Sequence, residues 1–103
     1  MENQDAEPAE IVLSLPEGAK VIGALYDTMH PDYLREDIIQ VELSGEIFID
    51  VGWYPHREPV GQFVVTVFQQ DFDNMLEAEQ YAKDVAGAKT LVESLAAKYA
   101  DNW

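Results

Sequence analysis

Three runs of β-branched and aromatic residues between positions 37 and 70 constrain the fold more than any other feature of the chain. The runs DIIQVEL (37–43), EIFIDVGWY (46–54) and QFVVTVFQQ (62–70) have the composition typical of strands. The dipeptide SG separates the first two. The segment PHREPVG (55–61) separates the second from the third, and its two prolines cannot donate ladder hydrogen bonds. The sequence therefore predicts a three-stranded antiparallel meander.

The apolar residues select the register of this meander, because a slip of one residue moves the apolar set of a strand to the opposite face. A three-residue loop pairs Leu43 with Ile47, whereas a two-residue turn pairs Leu43 with Glu46 and divides the apolar faces. In the second hairpin, pairing Trp53 with Phe63 continues the same face. We expect the core face to consist of Ile39, Val41, Leu43, Ile47, Ile49, Val51, Trp53, Phe63, Val65 and Val67.

Helices are expected on both sides of the meander. Residues 14–29 carry apolar residues at helical spacing, after a Ser14–Glu17 pair that has the spacing of a capping box. The alternative for this region is a short strand at EIVLSL that turns at PEG. Residues 74–100 carry two apolar stripes at helical spacing, and Gly87 between them leaves open whether they form one helix or two.

These elements together predict one α+β domain over residues 10–103, in the order α-β-β-β-α. An N-terminal helix and one or two C-terminal helices pack on the three-stranded sheet, and the acidic residues 1–9 form a disordered tail. The order is similar to that of double-stranded RNA-binding domains. Those domains place a basic cluster at the start of the last helix, where this chain has DFDNMLEAEQ, so the resemblance does not extend to RNA binding.

The second face of the predicted sheet is too apolar to be left fully in water. Three covers of this face remain open: the N-terminal helix, a second copy of the chain in a homodimer, or a different protein. His56 and Arg57, at the tip of the second hairpin, add residue types that are common at interfaces. The interaction candidates are Ile38, Phe48, Asp50, Tyr54, His56, Arg57, Val64 and Phe68.

Catalytic and metal-binding chemistry has less support. His30, Asp50 and His56 would offer two imidazoles and a carboxylate to a metal ion if the fold brought them together. Asp50, placed between Gln40 and Thr66 among apolar residues, would serve as a general acid or base if its pKa were raised. The histidine spacing matches no dense ligand motif, and neither a nucleophile elbow nor a phosphate-binding loop occurs. We therefore predict no enzyme activity and no cofactor.

The charge balance restricts the partners that the protein can bind. Six basic residues against twenty acidic ones give a net charge of −14. Nucleic acid and anionic membranes would be repelled, whereas a basic protein surface would be attracted. The chain has no cysteine, no visible targeting segment and no apolar run long enough to span a membrane, which predicts a soluble cytoplasmic protein.

The first functional hypothesis is a small acidic interaction or regulatory module that acts by binding, in the manner of an inhibitor or immunity protein directed at a basic surface. The second is a homodimeric structural protein formed through the outer sheet face. The third is a minor enzyme or metal-binding protein that uses His30, Asp50 and His56.

Overall fold

A computed structural model describes residues 8–100, which form a five-stranded antiparallel sheet followed by one helix. Residues 1–7, which make up most of the predicted acidic tail, lie outside the described part. Consecutive strands are neighbours throughout the sheet. The elements are β1 (Lys20–Gly23), β2 (Ile39–Leu43), β3 (Ile47–Tyr54), β4 (Gln62–Gln69), β5 (Gln80–Ala82) and α1 (Val85–Ala100), with short 3₁₀ turns at Pro31–Tyr33 and Ser44–Glu46.

The central three strands have the predicted register. Leu43 pairs with Ile47 across the three-residue loop, and Trp53 pairs with Phe63 across the second hairpin. Positive φ angles at Gly45 (77°) and Glu46 (63°) close the tight first loop. All ten residues predicted for the core face are buried, and α1 covers them with apolar residues that include Val92 and Leu95. Two further strands, β1 and β5, extend the sheet at its edges, so the predicted three-stranded sheet and the α-β-β-β-α order are wrong.

The predicted N-terminal helix over 14–29 is also wrong. The Ala19 amide donates to the Pro16 carbonyl at 3.2 Å, and Gly18 at φ 89° supplies the left-handed residue that this turn needs. The chain then enters β1, which pairs with β2. Before the turn, the chain forms an extended arm whose side chains point alternately toward the core and toward solvent. The alternative of a short strand at EIVLSL that turns at PEG is therefore closer to the observed path than the helix. The inward side chains of the arm are Ile11, Leu13 and Leu15.

Backbone hydrogen bonds hold this arm in place. The Ile11 amide donates to Leu25 and the Asp27 amide donates to Ala9, at 2.7 and 2.8 Å. The Ser14 amide donates to the Glu93 carboxylate on α1 at 2.7 Å. This bond, together with the nearby Lys89 ammonium, lowers the pKa of Glu93. The arm is therefore fastened both to the segment after β1 and to the helix.

The predicted helix over 74–100 is correct only from Val85 onward, where it is a single helix. Residues 74–76 instead return along the end of β4, with the Leu76 amide donating to Val67 at 2.9 Å, and β5 continues along the same edge. The helix starts after Asp84, whose carboxylate accepts from the Gly87 amide at 2.7 Å as an N-cap. Gly87 lies in the first turn of α1 and does not divide it.

The turn between β4 and β5 covers part of the outer sheet face. Phe48 stacks on Phe68 with ring centroids 5.4 Å apart, and Phe72 from the turn packs on Phe68 at 4.2 Å. Phe68 is only 3% exposed as a result. Of the three covers that were left open, the N-terminal helix is ruled out because residues 14–29 do not form a helix, and over this half of the face the cover comes from the chain's own turn.

A polar cluster attaches the segment before β5 to the end of α1. The Glu77 carboxylate accepts from the Lys98 ammonium, from the Tyr99 hydroxyl at 2.5 Å and from the Gln80 side chain at 3.1 Å. These bonds lower the pKa of Glu77, with Lys98 contributing most. Burial, followed by the Glu77 carboxylate, raises the pKa of Tyr99 to about 12.

The Tyr99 hydroxyl predicts a loss of stability in alkali. A pKa raised on folding means that the folded state holds the proton more tightly than the unfolded state. The resulting stability is fully present below the ordinary pKa of 10.0 and is lost as the pH rises toward about 12. We expect the Tm of the wild type to fall over this interval, and the fall to be smaller in Tyr99→Phe. Tyr33→Phe, at a partly buried tyrosine whose ring packs on Tyr26, is the control and should retain the wild-type slope. Equal slopes in all three proteins would contradict the assignment.

Candidate binding cleft on the outer sheet face

An irregularity between β2 and β3 brings acidic residues over the outer face. The Trp53 amide donates to Arg35 at 2.7 Å and the Ile38 amide donates to Val51 at 2.9 Å, so residues 36–37 bulge out of the ladder. The Glu36 carbonyl lies directly over Gly52, where any Cβ would collide with it. Gly52 therefore allows the bulge to rest on the sheet and places Asp37 beside β3.

Next to this bulge, the outer face contains a cleft of about 540 Å³. Its floor is formed by Val64 and Thr66 of β4, and Thr66 is 8% exposed. The turn between β4 and β5 forms one wall and the end of β3 forms another. Three carboxylates and three large side chains line these walls, namely Asp37, Asp50 and Glu79, and Tyr54, Phe72 and Met75. The volume lies within the range that is usual for ligand pockets.

Two neighbouring hollows extend the cleft toward β1. One, of about 300 Å³, shares Asp37 and Asp50 with the cleft and continues over Ile22 and Ile38. The other, of about 430 Å³, shares Asp37 and reaches the 3₁₀ turn at Pro31–Tyr33. Because Asp37 borders all three, they form one trough that crosses the strands from β1 to the turn after β4. We call this feature the outer trough.

The residues that line the cleft carry negative charge, and no lining Lys or Arg within residues 8–100 neutralises it. Within residues 8–100, Asp37, Asp50 and Glu79 form no ion pair, and no Lys or Arg lines the cleft. Burial raises the pKa of Asp50 above its ordinary value, and the charge of Asp37 raises it further, while a hydrogen bond from Gln40 opposes the shift. Burial and the charge of Asp37 therefore disfavour the ionised form of Asp50, and a cation close to its carboxylate would favour that form.

Two of the three most exposed aromatic residues of the described chain line the same cleft. In the described part of the chain, the aromatic side chains with the greatest exposure are Phe72 (57%), Tyr81 (53%) and Tyr54 (43%). Phe72 and Tyr54 line the cleft, and Tyr81 pairs with the floor residue Val64 and donates to Glu79 at 3.0 Å. The remaining aromatic residues of this part are buried or partly buried.

The predicted interaction candidates divide into three groups. Ile38, Asp50, Tyr54 and Val64 all border the outer trough. Asp50 also has the predicted strand neighbours, Gln40 and Thr66. Phe48 and Phe68 instead form the aromatic stack beneath the turn between β4 and β5.

His56 and Arg57 form the third group, and their contacts belong to the hairpin loop at 55–61. The His56 ring accepts from the Glu36 amide at 3.1 Å, and the Arg57 guanidinium donates to Asp32 at 2.7 Å. The Trp53 indole donates to the Glu58 carbonyl at 2.8 Å. The loop is thus attached to residues 32–36, and through His56 it supports the bulge that carries Asp37.

The third hypothesis required His30, Asp50 and His56 to lie together, but each of the three contacts a different residue. The His30 ring accepts from the Asp32 amide, His56 accepts from the Glu36 amide, and Asp50 contacts Gln40. Across residues 8–100, no group of three or more metal-ligating side chains is placed to hold a metal ion.

Sequence reasoning missed half of the cleft. The helix expected over 74–100 includes Met75 and Glu79, Phe72 lies just before it, and Asp37 falls in the run expected to form the first strand. The signal that was available is the alternation within MLEAEQYA, in which Met75 and Tyr81 face outward while Leu76 and Ala82 pack toward the core. The bulge at 36–37 has no comparable signal in the sequence.

Comparison with known proteins does not identify a relative of this chain. No protein family, no curated protein and no solved structure matches it. Among the described residues, no helix has both the length and the apolar character needed to cross a membrane.

The close contact at Gly52 gives a structural test of the bulge. In Gly52→Ala, the new methyl group collides with the Glu36 carbonyl, which is backbone and must move away from the sheet. We expect the free energy of unfolding to fall by about 1–3 kcal/mol, the usual effect of overpacking. Denaturant unfolding measures this change. A loss of less than about 0.5 kcal/mol, as at ordinary surface sites, would mean that the bulge does not rest on Gly52.

The desolvated carboxylate predicts that Asp50→Asn stabilises the free protein. Because folding raises the pKa of Asp50, the stability linked to this group is fully present below the ordinary value of 3.8 and is lost as the pH rises through the folded pKa. At neutral pH the asparagine variant should therefore have a higher Tm than the wild type, and the difference should disappear below pH 3.8. Asp27→Asn, at an exposed aspartate, is the control and should leave the Tm nearly unchanged. A lower Tm for Asp50→Asn at neutral pH would contradict the prediction.

Proposed function

We propose that the protein is a binding module that engages a basic segment of another protein through the outer trough. The single observation that carries the proposal is the composition of the cleft. Its carboxylates form no ion pair within residues 8–100, two of the three most exposed aromatic rings of that part line it, and no Lys or Arg of that part does. Aromatic residues and desolvated polar groups are typical of the energetic centre of an interface.

The distribution of the basic residues supports this reading. Three of the six form ion pairs away from the cleft, namely Arg57 with Asp32, Lys89 with Glu93 and Lys98 with Glu77. Of the basic residues in the described chain, only Arg35 lines part of the outer trough, in the hollow at the 3₁₀ turn. No Lys or Arg among residues 8–100 lines the cleft or the hollow over Ile22 and Ile38. The net charge of −14 extends the attraction beyond the contact residues and would accelerate association with a basic surface.

The same charges weigh against a homodimer through the outer face. A two-fold interface places the same patch of both copies in contact, which would bring Asp37, Asp50 and Glu79 of one copy near those of the other. Like charges at an interface are destabilising unless counterions or protons are taken up. A partner of opposite charge avoids this cost, and we therefore favour binding to a different protein.

A selection from a displayed library of random peptides tests the proposal. At low ionic strength, the immobilised protein should enrich peptides rich in Arg and Lys, and their affinity should fall as salt is added. Replacing two trough carboxylates, in Asp37→Asn/Asp50→Asn, should weaken the enriched peptides by about tenfold or more, the usual loss for charge-assisted hydrogen bonds.

The matched control is Glu17→Gln/Asp27→Asn, which removes the same net charge at exposed positions that do not line the trough. It should weaken the peptides by less than about threefold, because only long-range attraction is lost. The proposal is overturned if the enriched peptides lack basic residues or if the control variant loses as much affinity as the trough variant.

A further inference from the structure

We infer that the cleft receives the side chain of an arginine of the partner, held between the rings of Tyr54 and Phe72 and the carboxylates of Asp37, Asp50 and Glu79. This inference rests on the proposed binding function and names the chemistry of the anchoring residue. It distinguishes a site that recognises a planar guanidinium from a surface that merely attracts positive charge.

The first step of the argument is the arrangement of the charges. Asp37 comes from the bulge, Asp50 from β3 and Glu79 from the segment before β5, so the carboxylates approach the cleft from three separate parts of the chain. A guanidinium has five donors in a fixed plane and can bond to carboxylates on more than one side. An ammonium group is a compact, strongly hydrated charge with three donors that rotate, so it can bond to fewer carboxylates at once and has no preferred plane.

The second step is the exposure of the two aromatic side chains that line the cleft. One side of Phe72 packs on Phe68 with centroids 4.2 Å apart, yet Phe72 remains 57% exposed. Tyr54 lies over Gly52 and remains 43% exposed. A guanidinium stacks on aromatic rings and is more weakly hydrated than an ammonium, so it loses less solvation when it enters such a site.

The third step is the continuity of the cleft with the trough. The neighbouring hollow shares Asp37 and Asp50 and continues over Ile22 and Ile38, beyond the reach of one side chain. Five neighbouring strands span about 19 Å at the usual spacing, which is about six residues of extended chain. The occupant is therefore an arginine within a protein segment that lies along the trough.

Small arginine analogues test the cleft directly. We would follow the backbone amide resonances of the full-length protein while adding N-acetyl-arginine methylamide, its lysine equivalent, or the neutral citrulline equivalent. We expect saturable shifts at Asp50, Thr66, Phe72 and Met75 with the arginine probe. Binding of the lysine probe should be weaker by about threefold or more, in line with the loss of guanidinium stacking, and the citrulline probe should cause no saturable shift.

Two variants separate charge from stacking. Asp50→Asn, which we expect to be stably folded, should abolish saturable binding of both cationic probes. Phe72→Leu keeps an apolar side chain over Phe68 and should reduce the preference for arginine over lysine while leaving the lysine affinity nearly unchanged. Equal affinities for arginine and lysine in the wild type, or shifts spread over the acidic surface without saturation, would overturn the inference.

The two proposals can fail separately. If the enriched basic peptides depend on Asp37 and Asp50 but the arginine probe shows no saturable site, the proposed binding function is supported and the arginine inference is wrong. A saturable arginine site with no enrichment of basic peptides would show that the cleft takes a guanidinium and that the trough does not bind a protein segment.

Discussion

Because side chains alternate between the two faces of a strand, the register of β2, β3 and β4 decides which residues form the core and which face the cleft. In the observed register, the large apolar residues of all three strands pack under α1. Asp50 then faces outward between Gln40 and Thr66. A slip of one residue in β3 would bury this carboxylate under the helix, so core stability and the placement of the acid depend on the same pairing.

The edges of the sheet convert this face into a concave surface. Gly52 lets the 36–37 bulge approach β3 on one side, and the turn carrying Phe72 folds over Phe68 on the other. The Glu77 cluster attaches the second wall to α1, and His56 supports the first. Distant parts of the chain thus shape one cleft, and burial in it raises the pKa of Asp50, which lines it.

The successes and errors of the sequence reasoning have particular physical causes. The strands β2, β3 and β4 were predictable with their register, because only one alignment unites their apolar residues. The N-terminal region and residues 74–82 were not predictable, because the spacing of their apolar residues is compatible with both a helix and an extended segment. Gly18 and Gly23 weaken a helix between them. Gly18, at φ 89°, forms the turn before β1, and Gly23, also at φ 89°, ends β1 where a Cβ would collide with the Ile38 carbonyl. Four residues of the trough, Ile38, Asp50, Tyr54 and Val64, were foreseen from the strand pattern alone.

By itself, the sequence determined the central meander, its core face, the loop at 55–61 and the acidity of the surface, because these follow from local alternation, proline chemistry and composition. Only the tertiary structure decided that residues 74–82 return along β4, that the 36–37 bulge rests on Gly52, and that the carboxylates and exposed rings meet in one cleft. Those features depend on contacts between segments far apart in the chain. The alternation within MLEAEQYA is compatible with a strand, but it does not specify that this segment pairs with the edge of β4.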